Sequence, residues 1–273
     1  MGKNHYELSD AQILWIEEMA PGKRFFGIRF LKESDQRKFT FVPGQFVFLS
    51  IPGHGEFAVS ICSSPRKRDH FELLVNKVGS VTTALFGLNV GGKVGIRGPY
   101  GNGFDLSKFY DKDIIIVAGG CGAAPLRSVV NTMIYERDKY GKLYFLYGAR
   151  NSQELLFKKD LMDWQKNMKV LLTVDMSDKN WQGETGVVTT LFDHVKTSKS
   201  AIAITCGSPV MFKFVLVELK AKGMADKNIY LSLERRMKCG IGKCQHCTCG
   251  EKYACIDGPV FSYNQIKDNF EAV

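Results

Sequence analysis

Five of the eight cysteines in this chain lie together near its C-terminus. They occur in the stretch CGIGKCQHCTCGEKYAC, residues 239–255. Thiols clustered this densely bind a metal, carry out redox chemistry or form disulfide bonds, and each use forces the surrounding backbone to wrap around the sulfur atoms. The first question is therefore which of these uses the rest of the sequence favours.

The sequence predicts a protein of a reducing compartment, where disulfide bonds are rare. Its start, MGKNHYELSD, lacks the apolar core of an export signal. The longest apolar run, residues 113–120, is much shorter than the roughly 20 residues that a membrane helix needs. We therefore expect a cytoplasmic protein without a membrane span, in which the clustered cysteines serve metal or redox chemistry.

The spacing of four cysteines indicates an iron–sulfur cluster. Cys239, Cys244 and Cys247 have the x4, x2 spacing with which plant-type [2Fe–2S] sites begin. Cys255 follows after seven more residues and can supply the fourth thiolate. The glycines between the first two cysteines allow the loop to wrap tightly and to turn backbone N–H groups toward the sulfurs. We therefore predict a [2Fe–2S] cluster held by these four thiolates.

Two alternatives stay open at this site. A zinc knot usually joins two short C-x2-C hooks, and only one such hook is present, so zinc is the less favoured metal. Cys249, two residues after Cys247, is either an ordinary thiol beside the cluster or a ligand in place of Cys247 or Cys255.

The net charge of +9 does not indicate a nucleic-acid-binding protein. The lysines and arginines are scattered and interleaved with acidic residues, and no basic stripe with aromatic stacking positions is visible. We expect the excess positive charge to serve phosphate-bearing ligands or an acidic partner subunit.

The pattern of apolar runs divides the chain into regions with different predicted secondary structure. Short strand-like runs separated by Gly, Pro and charged turns occur at 25–30, 45–51, 71–78 and 93–98, and they predict an antiparallel barrel. From residue 113 onwards buried strands alternate with helical segments, which predicts a parallel sheet covered on both faces. We expect three units: a β-barrel at 1–107, an α/β domain at 108–228 and a small cysteine-rich lobe at 229–273.

Two turns have sequences typical of phosphate-binding loops. One leads from a strand into a helix through Gly120, Gly122 and Pro125, where glycines permit close approach to a pyrophosphate and the helix start offers unpaired N–H groups. The other follows Gly79 and comprises the first residues of a predicted helix, Ser80, Val81, Thr82 and Thr83. Each turn alone is a weak signal, but both together with an iron–sulfur motif indicate a chain of flavin, nicotinamide dinucleotide and cluster.

The order of motifs along the chain resembles the ferredoxin–NADP reductase superfamily. The resemblance covers residues 8–263 and rests on GQFVFLSI, VSICSSP, VGSVTTAL, RGPYGNGF, AGGCGAAPLRS, YGAR, CGSPVMF and the cysteine-rich stretch. Within the superfamily the chain is most similar to the gamma subunits of cytosolic NAD(P)-linked [NiFe] hydrogenases (sulfhydrogenases). The B subunit of anaerobic sulfite reductase and the electron-transfer subunit of dihydroorotate dehydrogenase are near relatives.

The resemblance implies that the barrel binds FAD. Ser60 would be the catalytic residue, with its hydroxyl facing the flavin N5. The superfamily usually has Arg-x-Tyr-Ser here, whereas this chain reads Phe57-Ala58-Val59-Ser60, so a bidentate phosphate anchor and an aromatic face are missing. The implied FAD-binding residues are Ala58, Val59, Ser60, Ile61, Cys62, Asn76, Gly79, Ser80, Val81, Thr82 and Thr83.

The resemblance also implies that the α/β domain binds NAD(P)H. Cys206 and Gly207 would lie beside the nicotinamide ring. Because the sequence near Cys206 contains no histidine with a partner that could activate the thiol, we do not expect a catalytic cysteine. Arg150 either reads the adenosine ribose or its 2′-phosphate, or forms a surface salt bridge, and NAD and NADP stay undistinguished. The residues that would hold the dinucleotide are Gly120, Gly122, Ala123 and Pro125.

The function that the resemblance implies is electron transfer. NAD(P)H would deliver a hydride to FAD, and electrons would then pass singly through the cluster to the catalytic and iron–sulfur subunits of a hydrogenase-like or sulfite-reductase-like complex. No site for hydrogen, sulfite or orotate is visible in the sequence, so we expect the terminal reaction on a partner chain.

Other functions stay open. The chain could be the electron-transfer subunit of dihydroorotate dehydrogenase or of a bifurcating ferredoxin/NAD(P) transhydrogenase. A self-contained oxygenase reductase would need a separate ferredoxin-like domain, and the residues after Asn228 are too few for an independent core without a metal. An alternative of another class is a zinc-stapled, non-catalytic binding subunit.

Overall fold

The N-terminal part of the chain forms an antiparallel β-barrel, as predicted. The computed structural model describes the backbone of residues 4–272 and the side chains of residues 4–269. The barrel strands are β1 (Ser9–Ala20), β2 (Lys23–Phe30), β3 (Phe46–Ile51), β4 (Gly55–Ser60), β5 (Phe71–Asn76) and β6 (Lys93–Tyr100). They pair in the order β4-β3-β6-β1-β2-β5, and a bridge between Ile61 and Leu73 joins the two outer strands, which closes the barrel.

Alternate residues of these strands fill the barrel interior. Phe26 and Ile28 of β2, Val47 and Leu49 of β3 and Leu73 of β5 are each 0% exposed. The residues between them point away from the barrel interior, and several of these, such as Phe48, Glu72 and Arg97, are nevertheless buried under other parts of the chain. Two short helices lie in the connections, α1 (Glu33–Lys38) and α2 (Ser80–Phe86).

A parallel sheet follows the barrel, also as predicted. Its strands are β7 (Ile114–Gly119), β8 (Leu143–Ala149), β9 (Lys169–Val174), β10 (Glu184–Thr185), β11 (Ile202–Cys206) and β12 (Ile229–Ser232). They lie in the order β10-β9-β8-β7-β11-β12, with every neighbouring pair parallel. The helices of this domain are α3 (Ala123–Tyr135), α4 (Lys158–Trp164) and α5 (Pro209–Ala221). No helix in the described part of the chain is long and apolar enough to cross a bilayer.

After β12 the chain leaves the sheet, forms the cysteine-rich loop and then returns. Within the loop, β13 (Thr248–Cys249) and β14 (Lys252–Tyr253) form a small hairpin. On its return the chain adds β15 (Val260–Ser262) antiparallel to β12, as the seventh strand, and then forms α6 (Tyr263–Ile266). Phe261 and Ile266 are buried in the same core as Leu231 of β12. The C-terminal segment is therefore part of the α/β core as well as the carrier of the cysteines.

A buried ion-pair network joins the barrel to the α/β domain. Arg127 of α3 donates to Glu72 of β5 at 2.6 Å and to the two carboxylate oxygens of Asp160 of α4 at 3.0 and 3.1 Å. The guanidinium carbon of Arg127 also lies 5.0 Å from the centre of the Phe25 ring of the barrel. Because a buried charge is costly unless it keeps its partners, this network fixes how the two domains sit against each other.

Candidate functional site

A cleft of about 480 Å³ opens where the barrel, the α/β domain and the C-terminal segment meet. Its size is typical of a cofactor site, and cofactor sites occur preferentially at such junctions. The lining residues are Phe46, Phe57, Ala58, Val59, Ser60, Leu74, Val75, Asn76, Val78 and Thr82 of the barrel, Cys121, Ala124, Pro125 and Cys206 of the α/β domain, and Ser232, Leu233, Glu234, Arg235, Met237 and Pro259 of the C-terminal part. We call this cavity the first cleft.

Strand β4 brings three of the predicted FAD-binding residues into the first cleft, Ala58, Val59 and Ser60. The two predicted residues that follow, Ile61 and Cys62, are each 0% exposed, and their side chains lie in the core. Burial raises the pKa of the Cys62 thiol to about 12. Ile61 and Cys62 can therefore serve a ligand only through their backbone.

The turn before α2 is partly occupied by the chain's own hydrogen bonds. The Thr82 hydroxyl accepts from the N–H groups of Val78 and Gly79 at 3.0 and 2.9 Å. A Cβ on Gly79 would meet no atom within 4 Å, so neither packing nor clashes within the chain require glycine there. The open space above Gly79 fits the approach of a ligand, whereas Thr82 already satisfies two of the N–H groups that a phosphate could have used.

The other predicted residues of this region divide into two groups. Asn76, at the end of β5, lines the first cleft. Ser80 and Thr83 are exposed, Val81 packs against the barrel core, and none of these three lines the cleft. Their assignment to FAD stays a prediction.

A second cleft of about 410 Å³ lies at the carboxyl ends of β7 and β11. In open α/β sheets, ligands bind where adjacent parallel strands lead to helices on opposite sides, and β7 and β11 are such a pair because β8 lies on the other side of β7. The predicted Gly122 and Gly207 both line this cleft. The remaining lining residues are Gly119, Cys121, Ser208, Pro209, Phe212 and Glu234.

The two glycines of the predicted dinucleotide turn have different roles. A Cβ on Gly122 would lie 2.2 Å from the carbonyl oxygen of Cys206, so this glycine allows the start of α3 to pack against β11. Gly120 has a φ of +52°, and a Cβ there would meet nothing within 4 Å. The Tyr147 hydroxyl donates to the Gly120 carbonyl at 3.1 Å and holds the turn, after which Ala123 begins α3. Gly120 lines neither cleft, and its assignment to a dinucleotide phosphate stays a prediction.

Glu234 lines both clefts and was not predicted from the sequence. It lies just after β12, and no motif marks it; only the topology shows that it comes near Cys121 and Cys206. Although Glu234 keeps exposed surface, the surrounding protein desolvates its carboxylate and raises its pKa above the ordinary value. A carboxyl group in this position can hydrogen-bond the amide of a ligand in either protonation state.

The two thiols beside the clefts are not activated. Cys206 is 1% exposed, and burial raises the pKa of its thiol far above the ordinary value, although a hydrogen bond with Ser232 acts in the opposite direction. Burial also raises the pKa of the Cys121 thiol. Since the thiolate is the nucleophile, these protonated thiols support packing roles and no catalytic cysteine.

Arg150 lies at the exposed carboxyl end of β8. Its backbone carbonyl accepts a hydrogen bond from the N–H of Met176 at 2.9 Å. Because β8 runs parallel to β7, Arg150 lies at the same edge of the sheet as the Gly120 turn, one strand away. This position is compatible with a contact to the distal part of a dinucleotide, and the role of Arg150 stays a prediction.

The four predicted ligand cysteines lie in two pairs. The thiol of Cys244 lies near the side chain of Cys239, and the thiol of Cys255 lies near the side chain of Cys247 and is also influenced by Cys239. A [2Fe–2S] cluster takes two protein ligands on each of its two irons, so paired cysteines fit it. A single zinc ion needs ligands that converge on one point. Among the side chains of residues 4–269, no three or more His, Cys, Asp or Glu residues converge in this way.

The loop between the first two cysteines turns its backbone toward the sulfurs. The N–H of Ile241 donates to Cys239 Sγ at 3.4 Å, and the N–H of Gly242 donates to Cys255 Sγ at 3.2 Å. Gly240 and Gly242 have φ values of +79° and +71°, which glycine adopts without strain. N–H groups aimed at sulfur favour the thiolate form that a metal cluster needs.

Cys249 belongs to neither pair. It lies in β13, where its backbone pairs with Lys252 of β14. Its side chain is 2% exposed and packs in the same apolar core as Cys247 and Cys255. Burial therefore does not distinguish Cys249 from the predicted ligands, and its role as an ordinary thiol beside the cluster stays a prediction.

Two contacts bring the cysteine-rich loop next to the first cleft. Met237 lines the cleft, and the first ligand, Cys239, follows two residues later. At the returning end, the side-chain amide of Asn102 donates to the carbonyls of Asp257 and Val260 at 2.8 and 2.7 Å. The motif RGPYGNGF thus attaches the loop to the barrel, a role that its sequence alone did not indicate.

Three known domain families match successive parts of the chain. Residues 17–104 match an oxidoreductase FAD-binding domain, residues 116–216 match an oxidoreductase NAD-binding domain, and residues 234–267 match the iron–sulfur cluster binding domain of dihydroorotate dehydrogenase B. The chain therefore contains the three cofactor-binding domains that its sequence predicts.

The chain is also similar over most of its length to subunits of larger enzymes. It is 42% identical to sulfhydrogenase 1 subunit gamma of Pyrococcus furiosus, over 96% of this chain and 93% of that protein. It is 39% identical to sulfhydrogenase 2 subunit gamma of the same organism, over 95% of this chain and 96% of that protein. A probable dihydroorotate dehydrogenase B (NAD(+)) electron transfer subunit of P. furiosus is 35% identical, over 84% of this chain and 83% of that protein.

Solved structures share most or all of the fold at lower sequence identity. An NADH-dependent reduced ferredoxin-NADP oxidoreductase aligns with a TM-score of 0.76 and 23% identity, over 100% of this chain and 95% of that chain. A ferredoxin NADP+ reductase from Neisseria gonorrhoeae aligns with a TM-score of 0.68 and 20% identity, over 82% of this chain and 97% of that chain. The predicted fold class is confirmed. The chain belongs to the ferredoxin–NADP reductase-like flavoprotein oxidoreductases, within the family of sulfhydrogenase gamma subunits and dihydroorotate dehydrogenase B electron-transfer subunits.

Proposed function

We propose that this chain is the electron-transfer subunit of a multi-subunit oxidoreductase, and that it passes electrons between NAD(P)H and a catalytic partner chain. The observation that carries the proposal is the lining of the first cleft. Ser60 of the barrel, Cys206 of the α/β domain and Met237, two residues before the first ligand cysteine, all line this one cavity. The predicted flavin, nicotinamide and cluster sites are therefore contiguous.

The chain's own residues would bind and orient the cofactors. When bound, FAD exchanges a hydride with nicotinamide and single electrons with an iron–sulfur cluster. Strand β4 places Ser60 at the wall of the first cleft, where its hydroxyl could donate or accept a hydrogen bond. The Gly120 turn and the start of α3 offer open space and N–H groups to a dinucleotide phosphate. The paired cysteines and the N–H groups of Ile241 and Gly242 would hold the cluster.

The first cleft departs from the superfamily pattern in a way that bears on FAD affinity. Phe57 and Val59, at the positions of the usual Arg and Tyr, both line the cleft. Neither side chain offers the paired donors with which arginine holds a pyrophosphate. We therefore infer that the isolated chain retains FAD weakly and that partner chains help to retain it.

We propose domain limits that modify those expected from the sequence. The FAD-binding barrel takes residues 1–107, as expected, and the NAD(P)-binding domain begins at 108. The expected lobe at 229–273 includes β12 and β15, which both pair within the α/β sheet. We therefore propose that the cluster-binding lobe proper comprises residues 234–259.

The partner that we propose is hydrogenase-like, with catalytic and iron–sulfur subunits. The support is the identity of 42% to a sulfhydrogenase gamma subunit over 96% of this chain. A dihydroorotate dehydrogenase complex is the second candidate, because residues 234–267 match that enzyme's cluster-binding domain. We do not propose a terminal reaction on this chain.

Anaerobic purification tests the proposal directly. We expect the untagged complex to show flavin and [2Fe–2S] absorption, and both to bleach on addition of NADH or NADPH. A colourless zinc protein would contradict it and would favour a non-catalytic binding subunit. Mass spectrometry of the co-purified chains then distinguishes hydrogenase-type subunits from a dihydroorotate dehydrogenase catalytic subunit, and titration with each nucleotide distinguishes NAD from NADP.

A further inference from the structure

Arg97 of β6 is buried in the barrel wall and hydrogen-bonds the cysteine-rich loop. It is 3% exposed, and each of its five N–H donors has a partner. Two bonds go to the carboxylate of Glu56, and one goes to the Tyr100 hydroxyl at 3.0 Å. The other two go to the backbone carbonyls of Lys238 at 3.1 Å and Cys239 at 2.8 Å. The guanidinium thus holds the peptide at the first predicted cluster ligand.

Packing fixes the guanidinium in this position. Its central carbon lies 3.8 Å from the centre of the Phe48 ring, on which it stacks. Arginine is suited to such a place because its planar fork can stack and donate in several directions at once, which the ammonium group of lysine cannot do. The carboxylate of Glu56 already balances the positive charge of Arg97. The two hydrogen bonds to the carbonyls of Lys238 and Cys239 are therefore not needed for charge balance, and their effect is to hold the loop.

The next residue of the loop is seated on the same aromatic rings. Gly240 has a φ of +79°, and a Cβ there would lie 2.9 Å from the Phe48 ring and 3.2 Å from the Tyr100 ring. A side chain at this position would therefore push the loop off the barrel. Arg97 and Gly240 are independent contacts that hold the same segment against the same wall.

The strands that carry these contacts also line the first cleft. Glu56 and Ser60 both belong to β4, and Phe46 and Phe48 both belong to β3. Ser60 and Phe46 line the cleft, whereas Glu56 and Phe48 hold Arg97. Two adjacent strands thus connect the predicted flavin site with the predicted cluster site.

We propose that Arg97 is a positioning residue that clamps the Cys239 peptide to the barrel and so fixes the first cluster ligand relative to the flavin cleft. The inference rests on the proposed function in one respect, since it requires that the paired cysteines hold a cluster. Arg97 shapes the loop that carries the ligand cysteines, and it makes no contact with a substrate.

The test compares two Arg97 variants with a matched arginine in the untagged, anaerobically purified complex. Arg97→Met removes the fork and the charge, and Arg97→Lys keeps only the charge. The control is Arg24→Met, because Arg24 also donates to a carboxylate and to a carbonyl, of Glu18 and Phe86, and stacks on the Phe86 ring, all within the barrel. The measurements are iron and acid-labile sulfide per chain, the rate of cluster loss to a chelator, the EPR spectrum of the reduced cluster and the FAD absorbance.

We expect both Arg97 variants to lose the cluster to chelator at least about tenfold faster than the wild type and to show an altered EPR spectrum, with FAD retained. Arg24→Met should match the wild type. A wild-type rate of cluster loss and a wild-type EPR spectrum in Arg97→Met would overturn the proposal. The same result in Arg97→Lys would also overturn it, because the positive charge alone would then be enough to retain the cluster. Equal loss of FAD and cluster would also overturn it, because the arginine would then support the barrel as a whole. A wild-type complex without any cluster would instead refute the proposed function.

Discussion

The carbonyl oxygen of Cys206 lies 2.2 Å from the point that a Cβ on Gly122 would occupy. The carboxyl end of β11 and the start of α3 are therefore packed closely together, and Gly122 and Gly207 beside this contact line the second cleft. The backbone of β11 thus occupies the space on the Cβ side of Gly122, so a pyrophosphate could approach this glycine only from the side of the cleft. The predicted contact of Gly122 with a pyrophosphate stays a prediction.

Substitution of the two turn glycines should therefore give different results. Gly122→Ala should cost about 3 kcal/mol of stability, because the new methyl group meets backbone that cannot move freely. Gly120→Ala should cost only about 1 kcal/mol, from the left-handed backbone, but should weaken NAD(P)H binding because the methyl group enters the open space. Thermal unfolding and nucleotide titration of both variants measure these effects. A Gly122→Ala protein as stable as the wild type would contradict the contact.

The paired cysteines predict the outcome of single replacements. Serine in place of Cys239, Cys244, Cys247 or Cys255 should abolish the EPR signal of the reduced [2Fe–2S] cluster, because each change removes one thiolate. Cys249→Ser is the matched control and should retain the signal, since Cys249 belongs to neither pair. A Cys249 variant without the signal and a Cys255 variant with it would show that the fourth ligand is assigned wrongly.

The network between the domains predicts a dependence of stability on pH. Burial acts to raise the pKa of Glu72, but Arg127 and Lys67 hold it below the ordinary value of 4.5. A depressed carboxyl pKa contributes stability at pH values above 4.5, and this contribution is lost as the pH falls through the folded-state value. Urea unfolding at several acidic pH values should therefore show a loss of stability as the pH falls from 4.5 toward the lower folded-state pKa of Glu72.

Removal of the arginine tests the same network. Arg127→Met should cost about 3–5 kcal/mol near neutral pH, because it leaves Glu72 and Asp160 without their shared partner. The control Arg66→Met breaks an exposed pair with Glu136 and should cost about 1 kcal/mol or less. Equal effects of the two variants in urea unfolding would mean that the buried network does not hold the domains together.

Much of the fold was predictable because the apolar pattern of most strands is clear. Strands β2, β3, β5 and β6 and the core strands of the α/β domain lie where the sequence predicts them. Strands β1 and β4 were not predicted. The second half of β1 contains Glu17 and Glu18, which interrupt the alternation of apolar and polar residues, whereas pairing with its neighbours and burial of Ala11, Ile13 and Ala20 stabilise the strand.

The candidate site was predictable only where a local motif carries it. The cysteine spacing and the glycine turns are such motifs. Glu234 and Met237 were not predicted, since they line the first cleft only because the C-terminal segment crosses the junction of the two domains. The clamp of Arg97 on Cys239 joins residues 142 positions apart, and no local pattern records it.

The structure also determines how the electron path should be tested. Removing the whole C-terminal segment would delete β15, which pairs with β12, and Pro259, which lines the first cleft. A truncated chain would thus lose part of the α/β core and of the cofactor cleft. The single replacement Cys244→Ser removes one predicted ligand at a partly exposed position of the loop. It leaves the α/β core and the cofactor cleft intact.

Stopped-flow absorbance of the complex that contains Cys244→Ser is the most direct test of the proposed electron path through the cluster. With FAD content and folding shown to be normal, we expect NAD(P)H to bleach the flavin at close to the wild-type rate, because the predicted flavin and nicotinamide sites meet in the first cleft, which Cys244 does not line. The redox centre of the partner chain should then stay oxidised. Reduction of the partner at the wild-type rate would contradict the account, because electrons would reach the partner without the cluster.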